Sequence, residues 1–112
     1  MAGQSSIPPG ARKAIASVHA AAATKDFVTL KRVMTDEFIW NFGPDGGTRA
    51  QALDAWRKDS QYLTELRRVT AKGCGRVSEL YIQCPQYTDM SFRAGFTLTA
   101  QGWRMAYFVA GD

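Results

Sequence analysis

The order of the hydrophobic patterns along the chain constrains its fold more than any other feature of the sequence. The first half repeats its apolar residues with a helical period, broken only by an aromatic segment at residues 37–43. From residue 66 to residue 112, apolar and polar residues alternate between turn signals, as is typical of strands. A chain with this order is predicted to be α+β, with its helices laid on one antiparallel sheet.

The helical half of the sequence predicts three helices. The first begins near Gly10, and the second begins at Asp26, whose carboxylate is suited to accept the free amide hydrogens of a first turn. The third runs over residues 49–60, because Thr48 and Gln51 have the spacing of a capping box. The aromatic segment before the third helix is predicted to be a strand.

The second half of the sequence predicts four more strands, which gives the element order ααβαββββ. Residues 1–10 are predicted to be a flexible segment, and residues 11–112 are predicted to form a single domain, since this length supports one core. The expected strands cover residues 64–72, 77–84, 88–100 and 102–110.

The charge pattern argues against a nucleic-acid partner. The net charge is +4, but the basic residues are dispersed over several elements with acidic residues between them, and no recognition motif accompanies them. No segment approaches the ~20 apolar residues that a membrane-spanning helix needs. We therefore expect a cytoplasmic protein without nucleic-acid or membrane partners.

The two cysteines are predicted to be free structural thiols. Cys74 and Cys84 are too few for a disulfide framework, and they lack both CxxC spacing and nearby histidines that would indicate a metal. A turn at residues 73–76 would pair Cys84 with the region near Leu66 and not with Cys74. No metal site and no cofactor are expected.

Three local patterns make the sequence resemble the nuclear transport factor 2-like superfamily. They are the helix junction at residues 25–27, the aromatic strand at residues 36–40 with the Gly-rich loop and Thr48 after it, and the Gly-Trp-Arg segment at residues 102–104. The resemblance implies a cone, in which a curved sheet wraps the helices and leaves an apolar pocket open at one end. It also implies that two copies can pair through the outer face of the sheet.

The superfamily includes ketosteroid isomerases, SnoaL-like cyclases, epoxide hydrolases, scytalone dehydratases and proteins that only bind ligands, so function depends on the pocket residues. An ungapped match to the isomerases places their three catalytic positions on Val18, Phe42 and Ala94, which cannot move a proton. The dehydratase pattern needs two histidines, and this chain has only His19. Whether the protein is an enzyme is therefore left open.

Three polar residues remain as catalytic candidates, and each also has a simpler interpretation. Tyr107 can be a buried tyrosine satisfied by its neighbours, His19 a histidine at the surface or at its boundary, and Asp54 a solvated helix carboxylate. The carboxylates needed for the epoxide hydrolase pattern lie mostly at helix ends or beside outward-facing charges. The sequence therefore nominates no catalytic group.

Aromatic strand faces predict the pocket itself. On each predicted strand, alternation places the inward residues on one face of the sheet. The small Ala94 among large residues leaves room for a ligand. On the last strand, Arg104 belongs in water, whereas the family match favours Ala106 and Phe108 inside. The position of Arg104 instead favours an inward set of Trp103, Met105, Tyr107 and Val109. The predicted ligand-binding residues are Phe38, Trp40, Phe42, Trp56, Phe92, Ala94, Phe96 and Tyr107.

Two functions follow from these observations. The first is a SnoaL-like pocket protein that binds a small apolar or cyclic molecule, with or without an isomerase, cyclase or hydrolase activity. The alternative is a homodimer in which the outer sheet face forms the interface and aromatic side chains fill the cone.

Overall fold

Four of the five described strands follow the last described helix in the chain, so the predicted α+β class is confirmed. The computed structural model describes residues 7–40, 48–71, 73–88 and 91–110. The flexible segment predicted at residues 1–10 therefore lies mostly outside the described residues. The elements are α1 (Pro9–Thr24), α2 (Phe27–Arg32), β1 (Met34–Ile39), α3 (Arg49–Lys58), α4 (Gln61–Thr70), β2 (Gly75–Arg76), β3 (Tyr81–Cys84), β4 (Arg93–Thr99) and β5 (Gly102–Val109).

The strands form one mixed sheet in the order β1-β5-β4-β3-β2. Strands β2 to β5 pair antiparallel with their neighbours, whereas β1 runs parallel to β5, with Met34 opposite Met105. The sequence predicted a wholly antiparallel sheet, and that prediction is wrong for the parallel pairing of β1 with β5. No hairpin fixes the direction of β1, because helices and three strands separate it from β5 along the chain.

Two predicted helix starts are confirmed by their capping hydrogen bonds. Asp26 accepts bonds from the backbone N–H and the hydroxyl of Thr29, at 3.1 and 2.7 Å, and these bonds lower the pKa of Asp26. At the start of α3, the Thr48 hydroxyl accepts from the Gln51 N–H at 3.1 Å, and the Gln51 side chain accepts from the Thr48 N–H at 3.0 Å. These contacts satisfy amide hydrogens that lack a partner within the helix.

A strand was predicted at residues 64–72, but residues 64–70 belong to the helix α4. Its buried residues are Leu63, Leu66, Val69 and Thr70, whose spacing places them on one helical face. That face packs against α1, which in turn lies on β4 and β5. The prediction was wrong because strand-favouring residues in this segment concealed the helical period. None of the described helices is long and apolar enough to cross a membrane.

Cys74 and Cys84 form a disulfide, which corrects the prediction of free thiols. Strand β2 pairs with β3, Gly75 lies opposite Gln83, and the two cysteine Cα atoms are 4.3 Å apart. The expected pairing of Cys84 with the Leu66 region is excluded, because that region is helical. The error in the secondary structure therefore caused the error in the cysteine chemistry.

An irregularity in β5 changes which residues face the helices. Phe96 pairs with Met105 and Gly95 pairs with Tyr107, so Ala106 is an extra residue in β5, as in a β-bulge. Met105 is buried in the core before this point, and Phe108 is buried in the core after it. Tyr107 therefore lies on the outer face, and the prediction that it faces inward is wrong.

Candidate functional site

Four of the predicted ligand-binding residues fill the core. Phe38, Trp56, Ala94 and Phe96 are each at most 1% exposed and belong to the central hydrophobic cluster. They have almost no surface that a ligand could reach. A fifth, Phe42, lies outside the described residues.

Two other predicted residues, Trp40 and Phe92, are only partly buried and lie near an opening. The opening is a cavity of about 260 Å³ whose lining includes Tyr62 and Phe92, together with Asp59, Gln61 and Glu65. Trp40 packs edge-on against Tyr62, with ring centroids 5.7 Å apart. We call this cavity, with the adjacent Trp40, the cone mouth.

A continuous series of aromatic contacts joins the core to the cone mouth. Neighbouring rings meet edge-on, except for Phe92 and Phe108, which stack with centroids 5.2 Å apart. Because each ring fixes its neighbour, the packing of the core determines the shape of the mouth. The series is Phe38, Trp56, Phe108, Phe92, Tyr62 and Trp40, with centroid separations of 5.2 to 6.4 Å.

The indole N–H groups of Trp40 and Trp56 are buried without a hydrogen-bond partner in the described part of the chain. A buried donor without a partner destabilises the folded state, by about 1–3 kcal/mol. Trp56 lies in the closed core, but Trp40 contacts a side chain of the mouth. Because this N–H is itself buried, an acceptor at the mouth can reach it only if the Trp40 ring turns towards the cavity.

The carboxylates of the cone mouth are engaged with neighbouring groups. An oxygen of Asp59 accepts the backbone N–H of Gln61 at 3.0 Å. Glu65 accepts a hydrogen bond of 2.9 Å from Nε of Arg68 and forms an ion pair with the same side chain. Groups held in this way are better suited to shaping the site than to transferring protons.

The three polar candidates from the sequence lie apart from the mouth and from one another. The ring of His19 bonds to the C-terminal end of α4, with Nδ1 3.0 Å from the Thr70 hydroxyl. Asp54 forms an exposed ion pair with Lys58 at 3.2 Å. Tyr107 lies on the outer face, where its hydroxyl bonds to Gln83. The structure therefore brings none of them together as a catalytic set.

The outer face of the sheet carries a hollow of about 460 Å³, which we call the outer groove. The rings of Tyr81 and Tyr107 lie beside each other there, with centroids 5.8 Å apart. Burial raises the pKa of Tyr107, Arg93 acts to lower it, and Tyr81 acts to raise it. The outer groove is also lined by Thr35, Asp36, Glu37, Ile39, Thr97, Thr99, Gln101, Arg104 and Ala106.

Sequence reasoning missed Tyr62, which connects Trp40 to Phe92. Tyr62 lies in α4, most of which falls in the segment that the sequence predicts to be a strand. The available signal was the recurrence of Tyr62, Leu66 and Val69 at intervals of four and three residues, which is the spacing of one helical face.

Comparison with solved structures identifies the fold. An NTF2-like protein with a cystatin-like fold from Novosphingobium aromaticivorans matches with a TM-score of 0.50, over 88% of this chain and 76% of that chain. The two sequences are 16% identical, so the match shows a shared fold. The NTF2-like fold expected from the sequence is thereby confirmed. No protein-family model matches the sequence, and no curated protein does.

Proposed function

We propose that this protein binds a small apolar or cyclic molecule at the cone mouth. The observation that carries the proposal is the unpaired, buried indole N–H of Trp40, whose ring packs against Tyr62. Tyr62 and Phe92 line an open cavity together with three polar residues. Apolar walls with a few fixed polar groups are the usual composition of small-molecule sites. The NTF2-like fold, which hosts such sites at the open end of its cone, is consistent with this role.

The geometry limits the ligand to a compact molecule. A cavity of about 260 Å³ is at the small end for ligand sites, which are commonly ~300–1,000 Å³. The exposed edges of Tyr62 and Phe92 favour a ring, and the Trp40 donor favours a carbonyl or ether oxygen. Since the two carboxylates of the mouth are already hydrogen-bonded, binding is the proposed activity.

A thermal-shift comparison of cyclic ketones with cycloalkanes of the same size tests this proposal. Ligand binding to the folded state raises the melting temperature, and we expect the ketones to raise it more. Trp40→Phe keeps an aromatic ring but removes the N–H, and it should weaken ketone binding by about fivefold. Trp103→Phe is the matched control, because Trp103 lies beside Gly10 of α1.

Two results would count against a ligand site at the mouth. One is that no cyclic compound raises the melting temperature of the native protein. The other is that Trp103→Phe weakens ketone binding as much as Trp40→Phe, since the indole N–H of Trp40 would then have no specific role.

A second candidate function, homodimer formation through the outer groove, is favoured by the mixture of groups on that face. Tyrosine rings lie beside Asp36, Glu37 and Arg104, which provide both signs of charge on one surface. A twofold axis through such a surface can place Arg104 of one copy against Glu37 of the other. Tyrosine and arginine are also the residue types enriched at protein interfaces.

Light scattering over a range of protein concentrations tests the dimer. We expect the native chain to have the mass of a dimer and Arg104→Asp to shift it towards the monomer. Combining Glu37→Arg with Arg104→Asp should restore the dimer, because the pairing is then reversed in sign. Glu37 is preferred to Asp36, because Asp36 already pairs with Arg49 of its own chain at 3.0 Å. A monomer at high concentration would exclude this candidate.

The disulfide bears on where such a function operates. Disulfides persist in oxidising compartments and are rare in the cytoplasm of mesophiles. The pairing of Cys74 with Cys84 therefore favours an oxidising environment over the cytoplasmic location expected from the sequence. Mass spectrometry of alkylated protein taken from its native cells would give the redox state of both cysteines. It would decide between an oxidising and a cytoplasmic environment.

A further inference from the structure

A separate groove of about 500 Å³ lies where α1, the end of α4 and the segment before β2 meet. Ile7 and Ile15 provide apolar wall, Arg12, His19 and Thr70 provide polar atoms, and Cys74 also lines the groove. We call it the helix groove. It shares no lining residue with the cone mouth or the outer groove.

Two contacts determine which nitrogen of His19 carries the proton in the neutral ring. Nδ1 lies 3.1 Å from the backbone carbonyl oxygen of Arg67 and 3.0 Å from the hydroxyl of Thr70. A carbonyl oxygen can only accept, so Nδ1 must donate to it. The Thr70 hydroxyl donates to the carbonyl of Leu66 at 2.8 Å, which leaves this hydroxyl free to accept from the same Nδ1–H.

Nε2 of the neutral His19 ring is therefore an acceptor with a free lone pair. No described residue donates a hydrogen bond to it, and His19 itself lines the helix groove. A fixed acceptor beside apolar wall selects a molecule that brings one donor and an apolar body. The matching chemistry is a hydroxyl on a ring, as in a phenol.

We propose that the helix groove is a binding site for small phenols, in which the phenol hydroxyl donates to Nε2 of His19. The ring of the phenol lies against Ile7 and Ile15. The part of the wall at Cys74 is held in place by the bond to the fully buried Cys84, so the groove does not have to form around its ligand. This site is independent of the proposed ligand at the cone mouth.

Nitrogen NMR of the imidazole tests the proposal directly, because His19 is the single histidine of the chain. The neutral ring of the free protein should show protonated Nδ1 and unprotonated Nε2. Titration with phenol should shift the Nε2 resonance. Anisole, which has the same ring but no hydroxyl, should bind roughly five- to tenfold more weakly.

Variants locate the binding and separate it from the cone mouth. His19→Phe keeps a ring of similar size but removes the acceptor, and it should reduce phenol affinity to that of anisole. Trp40→Phe should leave phenol binding at His19 unchanged. Circular dichroism checks that both variants fold. If His19→Phe does not fold, the titration of the native protein with phenol and anisole still decides the question.

Three results would overturn the proposal. The free protein could show protonated Nε2, which contradicts the inferred tautomer. Phenol could leave the His19 resonances unmoved, or the titrations could give phenol and anisole the same affinity. In the last case the hydroxyl would make no contact with Nε2.

Discussion

Tyr107 donates a hydrogen bond from its hydroxyl to the side-chain oxygen of Gln83, across an intervening glycine on the outer face of the sheet. Gly95 pairs with Tyr107 on one side and with Gln83 on the other, so the three residues form one row over β5, β4 and β3. The amide nitrogen of Gln83 donates to the carbonyls of Pro85 and Gln86, both at 3.2 Å, which orients its oxygen towards Tyr107.

Replacing Gly95 with alanine should destabilise the protein by about 1–3 kcal/mol. A Cβ at this position would fall 2.0 Å from a ring carbon of Tyr107, so the tyrosine would have to leave its row. Urea unfolding of Gly95→Ala measures the loss. In a Tyr107→Ala background the same substitution should cost little, and an equal cost in both backgrounds would show that the tyrosine ring is not the obstacle.

Stability above neutral pH should depend on Tyr107. Because burial raises its pKa in the folded protein, the folded state holds the hydroxyl proton more tightly than the unfolded state. This contribution to stability is complete below the ordinary tyrosine pKa of ~10 and is lost as the pH rises through the raised value. Urea unfolding from pH 8 to 11 should show a shallower decline for Tyr107→Phe than for the native chain.

Tyr87 provides the control for this pH dependence. It is 78% exposed, so Tyr87→Phe should leave the decline as steep as in the native protein. If Tyr107→Phe and Tyr87→Phe have the same effect, the pH dependence does not arise from the buried hydroxyl.

Local contacts were predictable from the sequence, whereas contacts between distant segments were not. The caps at Asp26 and Thr48 join residues three apart, and their sequence spacing is sufficient to identify them. Helix α4 was missed, although Leu63, Leu66 and Val69 have helical spacing, because the same segment contains β-branched residues. Its burial against α1 outweighs that local preference.

The site was harder to predict than the fold. Alternation on β4 correctly placed Ala94 and Phe96 inside, but burial alone does not tell whether a side chain lines a cavity or touches another side chain. Phe38 and Trp56 were expected to line a pocket, and they pack against each other at 5.9 Å. On β5, one extra residue reverses the alternation, so Tyr107 faces outward.

Removing the capping box of α3 should destabilise the protein by about 1 kcal/mol. Thr48→Ala deletes the oxygen that accepts the Gln51 N–H, and it leaves that donor to water. Thr48→Ser keeps the oxygen and should stay close to the native stability. Thermal unfolding of the two variants measures the difference. Equal melting temperatures would mean that α3 is held by the packing of Trp56 and Leu53, without help from its cap.

Reduction of the disulfide should lower the stability of the native protein by about 2–3 kcal/mol, because the bond closes a short loop in the unfolded chain. It joins the end of β3 to the segment before β2, a strand of two residues that pairs with β3. Thermal unfolding with and without a reductant measures the loss, and mass spectrometry of alkylated protein confirms the redox state.

The double variant Cys74→Ala/Cys84→Ala is the control and should not respond to the reductant. A native protein that is fully reduced but melts at an unchanged temperature would show that pairing between β2 and β3 is sufficient to hold this edge of the sheet.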